Sequence, residues 1–433
     1  MQTSQRLLSL DVFRGITIAG MILVNNPGSW STVYPPLLHA EWHGCTPTDW
    51  VFPFFLFIVG VSITLSLNKR KERGDNKASL RKKIGRRSLS IFGLGLFLAA
   101  FPRFGFEEWY PNLNPLHYAH YILLASLMLS IFYKATLSDG HPRKEILKWG
   151  IYAISGTMII LGFFLYDFSS LRIPGVLQRI AIVYAVVALL FLELDWKGLW
   201  YTAIGLLLAY WALMTVVPVP GGIAPNLEAA TNLGAWLDRT LLDGHLWSQS
   251  KTWDPEGLLS TLTAIVTGIS GALVGLWLKA KKGAYETVSG ILAVGSILVA
   301  LGLIWDMTFP INKKIWTSSY VLYTSGVAML FLGVIYWLVD ILQYKRWTYP
   351  FVVYGMNALF VYILSGIFAK LMYYIRWRDS AGELMTAQSW VYENCYQSIL
   401  SDYNASLAYA LTNVLLLWLI SLALYKRNIF IKV

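Results

Sequence analysis

The chain has 433 residues, 56% of them hydrophobic and only 14% charged, with a mean hydropathy of +0.53. A soluble domain of this length carries far more polar surface, so soluble classes are excluded and length counts membrane spans rather than domains. The formal charge of +11 does not point to nucleic acid, because the basic residues sit in short runs between apolar blocks, as positive-inside loops do.

Twelve apolar blocks suit membrane helices, near 8–27, 50–67, 88–104, 118–134, 149–166, 174–194, 199–217, 257–279, 286–305, 316–340, 349–373 and 406–424. The first carries Asp11 and Arg14, three apart, a spacing that lets them pair on one helix face or snorkel to the nearer membrane surface. No small-residue cleavage site follows it, so it is expected to be retained as a helix. The loop 28–49 has no Lys or Arg and holds His39, His43 and Asp49.

After the second block, Asn68–Arg87 holds ten Lys or Arg and is expected in the cytoplasm. Alternation then sets loop 28–49 outside and both termini inside. The outer loops also carry His117, His120 and His245 or lie at their edges. Arg172–Arg179, RIPGVLQR, enters the sixth span from outside. In the long loop 218–256, Leu227–Leu242 fits a helix lying in the interface. Trp253–Gly257, WDPEG, leads into the eighth span, where Gly268, Gly271 and Gly275 suit close helix packing. Pro310–Trp316, PINKKIW, sets Lys313 and Lys314 outside, against the charge trend, and Asn357 lies inside the eleventh span. The expected fold is therefore all-α: a single polytopic transmembrane helix bundle over residues 1–433, with about 11–12 spans and cytoplasmic N- and C-termini.

Ionisable groups at membrane depth are costly and need a partner or a role. His39 can take a proton from an amine or alcohol, or be acylated itself; on local sequence alone it reads as a solvated loop histidine. His39 and His43 lie in HAEWH, which is not HExxH, and Pro35, Pro36 and Pro47 leave little room for a helix, so no metal site is read there. Cys45 and Cys395 are read as free thiols. No Walker loop, dinucleotide fingerprint, CxxC pair or nucleophile elbow is present.

The ordered motifs RLLSLDVFRGITIAGMILVN, HAEWHGCTPTDWVFPFFLFIVG, RIPGVLQRIAIVY, WDPEGLLSTL, FPINKKIWTSSYV and YGMNALFVYI, with the closing YKRNIF, resemble the heparan-α-glucosaminide N-acetyltransferase family. The resemblance implies acetyl transfer from cytosolic acetyl-CoA, across the membrane, to the amine of a terminal glucosamine. Its essential histidine, in HAxWxG, falls on His39, and its active-site asparagine, in the VN pair, on Asn25. His43 stands where the family pattern has Asn. On this reading Asn25 donates a hydrogen bond to the tetrahedral oxyanion and His39 is the base, or carries acetyl in a ping-pong route. Asp49 orients His39 or binds sugar hydroxyls. Trp42, Trp50 and Trp253 stack on the sugar, and Asp254 and Glu256 hold its ammonium or hydroxyls. Arg14, Arg179, Asn357 and the 69–87 segment are the candidate acetyl-CoA contacts. The resemblance further implies a homodimer. Lysosomal members carry an extra N-terminal region, so a compact bacterial relative in an inner membrane is expected. An O-acyltransferase for a cell-envelope glycan and a sugar transporter remain alternatives, the latter needing no acetyl-CoA.

Overall fold

The computed structural model describes residues 7–101, 115–137, 140–165, 168–280, 282–378 and 382–431. Helices occupy each of the twelve apolar blocks. In chain order they are α1 (Leu8–Asn25), α2 (Val51–Glu72), α3 (Lys77–Ala100), α4 (Pro115–Thr136), α5 (Arg143–Leu165), α6 (Val176–Glu193), α7 (Trp196–Thr215), the short α8 (Leu233–Leu242), α9 (Thr261–Lys279), α10 (Ala284–Asp306) and α11 (Ser318–Tyr336). They continue with α12 (Tyr349–Met356), α13 (Ala358–Tyr374), α14 (Ala387–Tyr392) and α15 (Asp402–Lys426). A two-stranded ribbon pairs β1 (Arg376–Arg378) with β2 (Leu384–Thr386), antiparallel.

Among the described residues, eight of these helices are long and apolar enough to cross a membrane: α1, α2, α6, α7, α9, α10, α11 and α15. A ninth span is added if α12 and α13, which meet at 72°, count as one bent helix. The expected twelve spans exceed this number for a physical reason in α3, whose first half carries Arg81, Lys82, Lys83, Arg86 and Arg87. In α4 and α5 some side chains lie outside the described set, those of His117 and His120 among them. The protein is an integral membrane helix bundle. The interfacial helix expected over Leu227–Leu242 is shorter, α8, with Asn232 capping its start by accepting from the Ala235 N–H at 2.9 Å.

Glycines set the closest helix crossings. A Cβ on Gly60 of α2 would lie 2.0 Å from the Gly268 carbonyl oxygen of α9, and one on Gly271 would lie 2.0 Å from that of Phe57. Only glycine permits that approach. The same holds between α1 and α12, where a Cβ on Gly15 would meet the Phe351 carbonyl oxygen at 1.8 Å. Arg14 sits at this crossing, paired with Asp11 at 3.2 Å and donating to Ser62 Oγ of α2 at 2.9 Å.

The two ends of the bundle differ. At one end the basic stretch gathers, with Lys77 and Arg81 on Glu193 at the end of α6, and Lys279 on Glu72. At the other end the long loops meet: Gly44 N–H donates to Ile311 O at 2.7 Å, Trp42 Nε1 to Leu227 O at 3.0 Å and Gly28 N–H to Ser406 O at 3.3 Å.

Candidate active site

The loop between α1 and α2 is built around one buried carboxylate. Asp49 is the third residue of the turn Pro47–Trp50 that leads into α2, and Thr46 caps that turn. Asp49 Oδ2 accepts from the backbone N–H of Ala40 at 3.1 Å and of Thr46 at 3.0 Å, and from Thr46 Oγ1 at 3.1 Å. Its other oxygen, Oδ1, lies 2.6 Å from His39 Nδ1. An ionised carboxylate only accepts, so Nδ1 carries a proton, and in the neutral imidazole the lone pair is then on Nε2. The Asp49 side chain is 1% exposed and that of His39 40%, so the pair has a dry foot and a wet head. Tyr320 of α11 fixes the turn from below, its hydroxyl donating to Asp49 O at 2.6 Å.

The loop between α10 and α11 completes the cluster. Asn312 is fully buried; its Oδ1 accepts from the Lys314 and Ile315 N–H groups and its Nδ2 donates to His43 Nδ1 at 3.4 Å. This turn presents Lys313, whose Nζ lies 2.9 Å from Nδ1 and 3.3 Å from Nε2 of His39, and 3.4 Å from Asp49 Oδ1. Burial pulls the Lys313 ammonium below the usual lysine range, and the Asp49 charge opposes that pull. Its neighbour Lys314 donates to Glu41 O and holds its Nζ 5.9 Å from the ring centres of both Trp42 and Trp253. Those two rings meet edge-on at 5.2 Å.

Beside this aromatic corner, Arg172 forks onto Asp254, with Nε–Oδ2 at 2.8 Å and Nη2–Oδ1 at 2.6 Å, and reaches Glu256 Oε2 at 2.6 Å. Hydrogen bonds and charge from both acids raise the Arg172 guanidinium above its ordinary range, against the cost of burial. Asp254, which sequence reading offered to the sugar, is thus buried and engaged by Arg172, with Glu256 sharing the cation.

The remaining candidates are dispersed. Asn25 ends α1 and lines a cavity of about 220 Å³ with Asn26, Trp30, Lys370, Gln388 and Asn413, a lining that does not include His39. Trp50 stacks on Phe54 in the core. Arg179, in the first turn of α6, lies at the His39 end of the bundle. It donates to Gly257 O at 3.0 Å and to Ser260 Oγ, stacks on Trp316, and leaves Nε and Nη1 without partners among the described residues. Asn357 marks the α12–α13 bend; both ends of its amide hold the C-terminal segment, through Ile429 O at 3.0 Å and the Ile431 N–H at 2.9 Å. Arg14 ties α1 to α2. Arg179 lies away from the 69–87 segment, whereas Arg14, near the start of α1, and Asn357, bonded to the segment that follows α15, lie toward the basic end. Cys45 and Cys395 are both free thiols.

Sequence reading gave no role to Lys313, Asn312, Thr46 or Arg172 in the site. The available signal was a pair of lysines in a loop on the side that otherwise avoids them.

The family model described as "Heparan-alpha-glucosaminide N-acetyltransferase, catalytic" matches residues 6–139, the stretch that contains Asn25, His39 and Asp49. Heparan-alpha-glucosaminide N-acetyltransferase of Homo sapiens is 29% identical over 415 residues, covering 84% of this chain and 53% of the relative. The Mus musculus protein of the same name is 27% identical over 414 residues, covering 83% and 53%. The chain therefore spans about half the length of the curated relatives it matches.

Proposed function

Starting from a chain that these matches support as a member of the heparan-α-glucosaminide N-acetyltransferase family, we propose that it is a membrane acetyltransferase. It moves acetyl from cytosolic acetyl-CoA to the amine of a glucosamine-type sugar at the opposite face. The observation that carries this reading is the His39–Asp49 pair, 2.6 Å apart on a partly open loop at the end of the bundle away from the basic stretch.

The chemistry follows from the tautomer. With Nδ1–H held by Asp49, Nε2 is the free base that removes a proton from the attacking amine. The same lone pair serves a ping-pong route through acetyl-His39. Acetyl-CoA carries several phosphate charges that favour the basic end, and only its thin arm needs to enter the bundle. Asn25, at the outer end of α1, faces the cavity that such an arm would reach. Trp42 and Trp253 offer faces to a sugar, and Asp254 and Glu256 act there through Arg172. The host membrane is the bacterial inner membrane, and the working unit is a homodimer.

The test is direct. Purified protein in detergent is mixed with acetyl-CoA and glucosamine, and free CoA and N-acetylglucosamine are followed by mass spectrometry, with His39→Ala beside it. Acetylated sugar from the wild type alone is the expected result. CoA release with glycan alcohols but not with glucosamine would make the protein an O-acyltransferase. No acetyl-CoA binding would bring the transporter reading forward.

A further inference from the structure

The ammonium of Lys313 answers a need that the His39–Asp49 pair leaves unmet. Asp49 is already satisfied by His39 Nδ1, two backbone N–H groups and Thr46 Oγ1, so it does not require a lysine. Lys313 nonetheless stands 3.4 Å from Asp49, close enough for charge balance and too far for a strong hydrogen bond. Its Nζ is near both imidazole nitrogens at once, at 2.9 and 3.3 Å, and therefore aims along neither lone pair. Among the described residues its near acceptors are His39 Nε2 and Asp49 Oδ1, so donor capacity remains for whatever meets Nε2. The side chain is 18% exposed, and the chain spends a desolvated cation on this position.

We propose that Lys313 is the group that holds the acyl oxygen during transfer. This rests on the acetyltransferase reading above and deepens it. The amine lone pair attacks the thioester carbonyl carbon, and the C=O π pair moves to oxygen, where the Lys313 ammonium stabilises the oxyanion without giving up its proton. The oxyanion's pair then re-forms the C=O bond as the C–S bond breaks with its pair on sulfur. The amine proton passes to His39 Nε2 and from there to the thiolate, leaving the amide and free CoA. A cation 3.3 Å from Nε2 is within reach of a carbonyl whose attacking nitrogen sits on Nε2. The role that family resemblance gives to Asn25 then falls on Lys313, since Asn25 lines a cavity whose walls include neither His39 nor Lys313.

The experiment uses the full chain in detergent with carbonyl-¹³C acetyl-CoA. It reads the infrared carbonyl band of the bound thioester, together with kcat and KM for glucosamine. The wild type, the charge-keeping Lys313→Arg and Asn25→Ala are expected to shift the band to lower wavenumber than in free acetyl-CoA, and Lys313→Met to abolish the shift. Lys313→Met should lose about 10²–10³-fold in kcat, as removal of one oxyanion donor does, with sugar KM little changed. Lys313→Arg should retain most of the rate. A band that is the same in wild type and Lys313→Met, or a defect confined to KM, overturns the assignment. Should Lys313→Met fail to fold, loss of the shift in Asn25→Ala overturns it instead, and its persistence there supports it. A Lys313-dependent shift without glucosamine acetylation would remove the acceptor reading and leave this inference standing.

Discussion

Asp49 does two jobs with two oxygens: Oδ2 closes the loop and Oδ1 sets the imidazole. Replacing it with Asn removes the acceptor that selects the Nδ1–H tautomer while keeping the size. Asp49→Asn is therefore expected to lower kcat by roughly 10²–10⁴-fold, with acetyl-CoA binding retained in a thermal-shift assay. Unchanged kcat would show that the pair is only structural. Asp238 supplies a second prediction, on α8. Burial pushes its carboxyl up to about 6, although it accepts from the Leu258 N–H at 2.9 Å and the Asp254 N–H at 3.3 Å. A carboxyl raised in the folded protein contributes most to stability below its unfolded value of about 4, and that contribution is lost as pH rises through about 6. Asp238→Asn should accordingly raise the melting temperature relative to wild type at pH 8, and the advantage should shrink as pH falls through about 6 and vanish or reverse below about 4. A gap independent of pH would sink the argument.

At the scale of elements, backbone approach governs stability. A Cβ at Gly271 has no room beside Phe57 O at 2.0 Å, whereas one at Gly205 in α7 meets nothing within 4 Å. Gly271→Ala is expected to destabilise by about 1–3 kcal/mol, the usual cost of overpacking, and Gly205→Ala to be neutral or stabilising by up to about 1 kcal/mol. Thermal denaturation in one detergent compares them; equal behaviour would mean that α2 and α9 separate freely. The positions of the helices, and the packing role of Gly268 and Gly271, were legible in the sequence because hydropathy and small-residue spacing are local. The break at Asn357 was not, because Tyr354–Leu364 is apolar apart from Asn357 itself and a hydropathy window does not register a 72° turn. The site was half legible. His39 and Asp49 are ten residues apart and share a motif, but Lys313 reaches His39 across 274 positions. Arg172 likewise takes up Asp254 across 82 positions. Such pairs arise from tertiary packing, which no local pattern encodes.

The whole molecule separates charge from chemistry, and the transmembrane reading depends on which end faces the cytoplasm. Cys395 is exposed in the segment after α14, on the same end as His39, since Gln388 of α14 donates to Pro27 O at 3.3 Å in the α1–α2 loop. Lys82 lies near the start of α3 at the basic end, exposed. If Asn68–Arg87 is cytoplasmic, a membrane-impermeant maleimide added to intact cells should label Cys395. A cysteine introduced by Lys82→Cys should react only after permeabilisation. Cys45 contributes little background, because burial and the nearby Asp49 charge push its thiol up to about 12 and keep it from forming the reactive thiolate. The reverse labelling pattern would place His39 in the cytoplasm. Acetyl-CoA and acceptor would then meet on one side, no group would need to cross the bilayer, and the basic stretch would no longer serve to hold the phosphates of the donor.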